Sequence, residues 1–236
     1  MEYTNPAAMS LRRFGRRLGI LPPLVRAFRR FSGASYERRF DDALLGRVVA
    51  GDTVWDVGAN VGFYTERLSL AVGRTGRVVA FEPSPRNVAT LLARFDGQVR
   101  ANLEVVPAAL SDTAGTVEFF ENPAGDTTTD SLMARGAGAV RCQVECRRGD
   151  EYMLSHAPQV VKIDVEGFEA EVLRGMSQTL RQPTLRAVFV EIHFGILADR
   201  GLAAAPADIV HDLRAAGFSV SWIDPSHLMG LRRTGA

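Results

Sequence analysis

The 236 residues are 46% hydrophobic and 23% charged, a composition that buries a core without disulfide or metal staples. The 28 basic residues are 27 Arg and one Lys, Lys162, so a P-loop is excluded and any lysine mechanism has a single candidate. The net charge of +1 conceals an asymmetry: residues 1–50 carry ten Arg against Glu2, Glu37, Asp41 and Asp42, and the remainder is net acidic. On a strand, Cys142 and Cys146 would sit about 13 Å apart on one face, too far for a disulfide. Two reduced thiols are therefore expected, as in a cytoplasmic protein. No apolar run reaches the roughly 18 residues of a membrane span, and Arg interrupts the N-terminal apolar stretch, so no secretory signal is expected.

In chain order, residues 7–31 read as basic amphipathic helix broken at Pro22-Pro23. Leu11, Phe14, Leu18 and Leu21 line one face, and Arg12, Arg13, Arg16 and Arg17 the other. Residues 1–35 are thus expected to form an arm that packs on the main domain or on a second copy, and residues 36–236 the domain itself. A helix is expected from about Tyr36 to Val49, ended by Gly51. Then follow a strand Thr53–Val57, a glycine loop Gly58–Gly62 and a helix Phe63–Val72. Next come a strand Arg77–Glu82, a helix Pro85–Asp96 and a third strand Leu103–Leu110. This β-α-β-α-β order predicts a parallel sheet with right-handed crossovers.

Gly115–Glu121 and Val140–Arg147 read as short additional strands flanking a polar loop, residues 122–139, over the active-site edge. Val160–Asp164 is expected as a buried strand, Phe168–Thr179 as helix, Leu185–His193 as strand and Pro206–Gly217 as helix. Phe218–Ile223 and His227–Arg232 flank Asp224-Pro225-Ser226, a hairpin signal.

VWDVGANVGFYT, residues 54–65, carries the strongest signal. A strand delivers Asp56, and Gly58-Ala59-Asn60-Val61-Gly62 turns tightly into a helix whose N-terminus attracts an anion. Glu82, at the end of the next strand, is suited to ribose hydroxyls. The loop has G-x-x-x-G rather than the dinucleotide G-x-G-x-x-G, a spacing that suits S-adenosyl-L-methionine with Asp56 near its ammonium. Asp112, after the third strand, either reads the adenine or opens a turn. The cofactor-binding set is therefore Asp56, Gly58, Asn60, Gly62, Glu82 and Asp112.

DVGANVGFYT, together with FEPSP, ALSD, VVKIDVEGFEAEVLRG and VFVEIH, resembles the FkbM family of S-adenosyl-L-methionine-dependent methyltransferases, from about Tyr36 to the C-terminus. The resemblance implies an α/β, Rossmann-like class I methyltransferase fold: a seven-stranded, mostly parallel sheet with a C-terminal antiparallel hairpin. It also implies O-methylation of a hydroxyl on a small molecule, a sugar or natural product.

The catalytic candidates lie at predicted strand ends, where ligands bind in open α/β sheets. Asp164 ends the fourth strand of the parallel sheet, and Glu191 and His193, two apart, share a face of the fifth. His193 has the intrinsic pKa of a general base, and Asp164 or Glu191 can orient it or act alone. With Glu166 the three can also hold a divalent ion, which the sequence does not require. Glu169 and Glu171 are expected on a solvated helix face. Lys162, two residues before Asp164, is expected either as a structural ion pair or as a cation that lowers the Asp164 pKa.

Competing functions are weaker. A ribose 2′-hydroxyl methylase built on Lys-Asp-Lys-Glu needs two lysines, and Asp164-Val165-Glu166-Gly167 lacks the Pro-Pro-aromatic segment of base methylases. An RNA or protein methyltransferase and a non-catalytic cofactor-binding scaffold remain the alternatives. No nucleic-acid partner is expected.

Overall fold

The computed structural model describes residues 38–95, 102–121 and 140–233. The basic arm, with its break at Pro22-Pro23, and the loop 122–139 lie outside the described residues. Residues 38–45 form helix α1. There follow β1 (Thr53–Val57), α2 (Phe63–Val72), β2 (Arg77–Phe81), α3 (Pro85–Phe95), β3 (Leu103–Val106) and β4 (Ala108–Leu110). Next are β5 (Gly115–Glu121), β6 (Val140–Arg147), α4 (Gly149–His156), β7 (Val160–Ile163) and α5 (Glu169–Gly175). The chain continues with β8 (Ala187–Glu191), α6 (Phe194–Asp199), α7 (Ala205–Ala215), β9 (Phe218–Trp222) and β10 (His227–Arg232).

Seven strands form one sheet in the order β3-β2-β1-β7-β8-β10-β9. β1, β2, β3, β7 and β8 pair in parallel, and β10 runs antiparallel to both β8 and β9. The sheet expected from the sequence is thus present, with its antiparallel hairpin at the C-terminal end. Alternation along the strands divides the core. Trp55, Val57, Val79, Phe81, Val161, Ile163, Val188 and Val190 face one side, where α5 and α7 contribute Val172, Leu173, Ile209 and Leu213. Val54, Val78, Val160, Ala187 and Phe189 face the other, under Phe40 and Leu44 of α1 and Leu68 and Val72 of α2. Asp56 and Lys162, two residues beyond Val54 and Val160, share this second face and stand opposite each other in the ladder. The chain departs from β1 to β2 on one side and returns through β7 on the other, so a crevice opens at the carboxyl ends of β1 and β7.

Several expected boundaries differ. Leu103–Leu110 is two strands in two sheets: Pro107 has no N–H to continue the ladder, and Ala108–Leu110 leaves to pair with β6. β4, β6 and β5 form a separate three-stranded sheet, in which Cys142 and Cys146 lie on β6 as free thiols. The helix expected over Phe168–Thr179 ends at Gly175, where a Cβ would stand 1.9 Å from the Ser111 carbonyl oxygen. A separate 3-10 turn, Thr179–Arg181, follows. It is held by Asp150, which accepts the N–H groups of Gln178 at 3.0 Å and Thr179 at 2.9 Å. β8 ends at Glu191, so His193 is not on the strand but immediately precedes α6. Helices α4 and α6 have eight and six residues, too short to display a helical apolar period in the sequence.

Candidate active site

The loop after β1 is shaped by backbone rather than by side chains. Gly58 has φ +80° and lies so close to β7 that a Cβ would stand 1.9 Å from the Asp164 carbonyl oxygen. No other residue fits there. Gly62, at φ +87°, caps α2 and packs on Phe95. Asn60 between them also adopts a left-handed conformation, φ 51°, and aims its amide at the end of β2. That amide donates to Glu82 Oε2 at 2.7 Å. Glu82 Oε1 accepts the Ser84 N–H at 2.9 Å. Glu82 is 4% exposed, so its carboxylate is fixed in place before any ligand arrives. Asn87 Nδ2 also donates to Glu82 Oε1, at 3.4 Å.

Asp56 is fully buried. Its Oδ2 accepts the Thr65 hydroxyl at 2.7 Å, and its Oδ1 is 3.1 Å from Lys162 Nζ. Asp112 sits elsewhere, beyond β4, where Arg174 Nε donates to it at 2.8 Å and the Ser111 hydroxyl lies at 3.2 Å. Slight burial opposes its ionisation, but the Arg174 guanidinium outweighs that and holds the carboxyl below its usual range.

The ends of β7 and β8 present charges instead of backbone. Lys162 is 3% exposed and donates to the Gly58 carbonyl at 3.0 Å. Its Nζ lies between Asp56 and Asp164, 3.8 Å from Asp164 Oδ2, and faces the Tyr64 ring with 5.2 Å to the centroid. Burial disfavours the ammonium, but Asp56 and Asp164 outweigh it and raise its pKa. Of the two readings the sequence left for this lysine, the ion pair is present, and Lys162 also lowers the Asp164 pKa, although burial and Glu191 outweigh it.

Asp164, Glu191 and His193 converge. Each offers one ligand atom, and the three atoms lie within 4.8 Å of one another. This is the one such group among the described residues, and it can hold a divalent ion. His193 Nε2 is 3.6 Å from Asp164 Oδ1 and 3.4 Å from Glu166 Oε1. Burial pushes Asp164 up to about 6, reinforced by Glu191 and moderated by Lys162 and His193. Burial works against a charged His193, yet Glu166, Glu169 and Asp164 outweigh it and raise its pKa well above the usual value.

Two residues of this half were not foreseen. Glu169, expected on a solvated helix face, is fully buried, and its Oε1 lies 2.7 Å from His193 Nδ1 while accepting the Gly167 N–H at 2.8 Å. The turn before α5, with Glu166 at φ 51° and Gly167 at φ +91°, swings this first helical side chain inward. Glu171 is also covered, paired with Arg200 at 2.7 Å. A carboxylate two residues past a Glu-Gly turn was the available signal for Glu169. The second residue is His227, on the final hairpin, whose Nε2 is 3.3 Å from Glu191 Oε2. Burial disfavours its charged form, but Asp224 and Glu191 raise it to about 9. No short-range pattern joins His227 to Glu191, 36 residues earlier in the chain.

No helix among the described residues is long and apolar enough to cross a membrane. A model of the methyltransferase FkbM domain matches residues 56–220, which include the glycine loop, Glu82, Asp112, Asp164, Glu191 and His193. The hexuronic acid methyltransferase AglP of Haloferax volcanii is 34% identical over 158 residues, covering 65% of this chain and 61% of that protein. Methyltransferase sdnD of Sordaria araneosa is 26% identical, covering 52% and 60%. The chain thus spans about three-fifths of the length of these curated relatives. Among solved structures, methyltransferase FkbM from Methylobacillus flagellatus matches with a TM-score of 0.52 at 16% identity, over 77% of this chain and 43% of that one. A Streptococcus mutans methyltransferase in complex with SAH matches with a TM-score of 0.53 at 10% identity, over 84% and 97%. These likenesses establish the Rossmann-like methyltransferase fold, and the domain match across most of the chain establishes that it belongs to the FkbM methyltransferase family.

Proposed function

We propose that the chain uses S-adenosyl-L-methionine to methylate a hydroxyl of a small molecule, a sugar or another polyhydroxylated compound. One observation carries this reading: the backbone-built loop that presents Asn60 and Glu82 adjoins, through Gly58 and Lys162, the Asp164–Glu191–His193 group. Cofactor and acceptor functions thereby meet at one sheet edge. The relative that acts on a hexuronic acid supports a sugar as the first acceptor to try.

The fit to the cofactor rests on Gly58 and Gly62, whose left-handed turns seat the loop tightly against the end of β7 and on Phe95, and on Glu82, held at the end of β2 for a ribose hydroxyl. Asp56 contributes its charge beneath the loop, and Asp112, held by Arg174 beyond β4, is the candidate for the adenine side. When bound, the cofactor supplies a methyl group already activated on a sulfonium. The protein has to align the acceptor and take its proton as the oxygen–methyl bond forms.

Asp164 is the base in this reading. A carboxylate raised to about 6 is ionised at neutral pH yet more basic than an ordinary aspartate. The carboxylates around His193 favour its charged form, and it stands with Lys162 beside Asp164. Glu169 fixes the ring by its hydrogen bond to Nδ1.

The test is calorimetric titration with S-adenosyl-L-methionine, followed by transfer of labelled methyl to a panel of neutral sugars, uronic acids and non-sugar alcohols. Cofactor binding with label on an oxygen of one acceptor class is the expected result. No cofactor binding, or label found only on nitrogen or on macromolecules, would overturn the proposal.

A further inference from the structure

The final hairpin carries a histidine into the acceptor half of the site. β10 pairs antiparallel with β8 so that His227 stands directly opposite Glu191. The imidazole is 7% exposed and is held from three sides. Its Nδ1 is 2.7 Å from Asp224 Oδ2, its Nε2 3.3 Å from Glu191 Oε2, and its ring lies 4.2 Å from the Phe40 ring of α1, centroid to centroid. Asp224, 6% exposed, is itself fixed: its Oδ1 accepts the N–H groups of Ser226 at 2.9 Å and His227 at 2.8 Å. The whole hairpin turn is thus organised around the aspartate that orients this ring.

This order exceeds what closing a hairpin requires. A buried imidazole fixed at both nitrogens defines the direction of whatever it contacts, and here that is the strand-end carboxylate grouped with Asp164 and His193. Glu191 and Asp164 are like charges at close range, so a cation paired with Glu191 favours both being ionised. Lys162 and His193 lie beside Asp164, Lys162 also acts on Glu191 at longer range, and His227 pairs with Glu191 directly. Asp224 and His227 lie beyond the family match, which ends at residue 220.

We propose that Asp224 and His227 are a positioning pair that aims the Glu191 carboxylate at the acceptor, making the C-terminal hairpin part of the acceptor site. This rests on the function proposed above. Glu191 so held accepts a hydrogen bond from the acceptor and sets its orientation toward Asp164, and His227 acts only through Glu191.

A double-mutant cycle reads this directly. His227→Phe keeps the ring packed on Phe40 and removes both hydrogen bonds, and Glu191→Gln removes the carboxylate charge. Each is expected to raise the KM for the acceptor by about 10–100-fold with cofactor affinity unchanged, and the double variant to be little worse than either single one. His227→Gln, which retains a donor near the Nε2 position, is expected to recover most of the loss. Independent, multiplying effects of the two changes, or a His227→Phe enzyme with wild-type KM, would overturn the proposal. A readout that needs no turnover separates its failure from that of the function itself. In the imidazole nitrogen NMR spectrum, Glu191→Gln and Asp224→Asn should each shift the His227 signals. If no acceptor is methylated, the function reading fails, and unmoved His227 signals in Glu191→Gln would separately overturn the pair.

Discussion

The two halves of the crevice are built from different materials. Around β1 and β2 the working groups are backbone: two left-handed glycines, the Asn60 amide, and one carboxylate preset by N–H donors. Around β7 and β8 they are charged side chains, in which Asp164, Glu166, Glu169 and Glu191 surround Lys162, His193 and His227. The first kind of site serves a ligand that always has the same shape. The second is set by electrostatic balance, so changing one member alters the behaviour of the others. Lys162 joins them, with the Gly58 carbonyl on one side and Asp164 on the other.

The largest effect is expected where the halves meet. Lys162→Met leaves the buried Asp56 anion without its cation and removes one of the two cations beside Asp164, and should cost about 3–5 kcal/mol of stability, read by denaturant unfolding. A change below about 1 kcal/mol would mean that the halves are electrostatically separate. Glu82→Ala should divide the site the other way. It removes the proposed ribose acceptor and strands the Asn60 and Ser84 backbone amides, so cofactor affinity should fall about 100-fold in calorimetry, with turnover at saturating cofactor nearly kept. Loss of both together would erase the distinction.

A smaller effect concerns pH. Asp164 must be ionised to accept a proton, and its pKa is raised above the ordinary carboxylate value to about 6. The competent form is therefore present above that value and lost as pH falls through it. The acceptor kcat/KM should be level near neutrality and drop about tenfold per pH unit well below 6. A profile that instead rises toward alkaline pH would return the base role to a deprotonated His193. The smallest effect is expected from chelation. Because Lys162 already places a cation beside Asp164, treatment with a chelator should leave turnover within about twofold, whereas abolition, restored by Mg²⁺ or Mn²⁺, would assign Asp164, Glu191 and His193 as ligands.

The same division governs what could be read from the sequence. Glycine spacing after a strand, and a carboxylate at the end of the next one, reflect local backbone geometry, so the loop and Glu82 were legible without coordinates. Asp164, Glu191 and His193 were legible as strand-end residues, and they do converge, although His193 reaches the group from the start of α6 rather than from the strand. Glu169 was assigned to solvent because helical position alone does not reveal the left-handed turn that rotates it inward. His227 depended on a long-range antiparallel register, which local pattern does not encode. Pro107 was a readable signal passed over: a residue without an N–H marks where one sheet hands the chain to another.

The central claim is that cofactor binding and proton removal are carried by separate halves of the crevice, with Asp164 as the base. Cofactor affinity and methyl turnover measured together on Asp164→Asn test it most directly. The account predicts turnover lower by about 10²–10⁴-fold with the cofactor Kd within about threefold of wild type. Undiminished turnover, or a parallel loss of both, would contradict it.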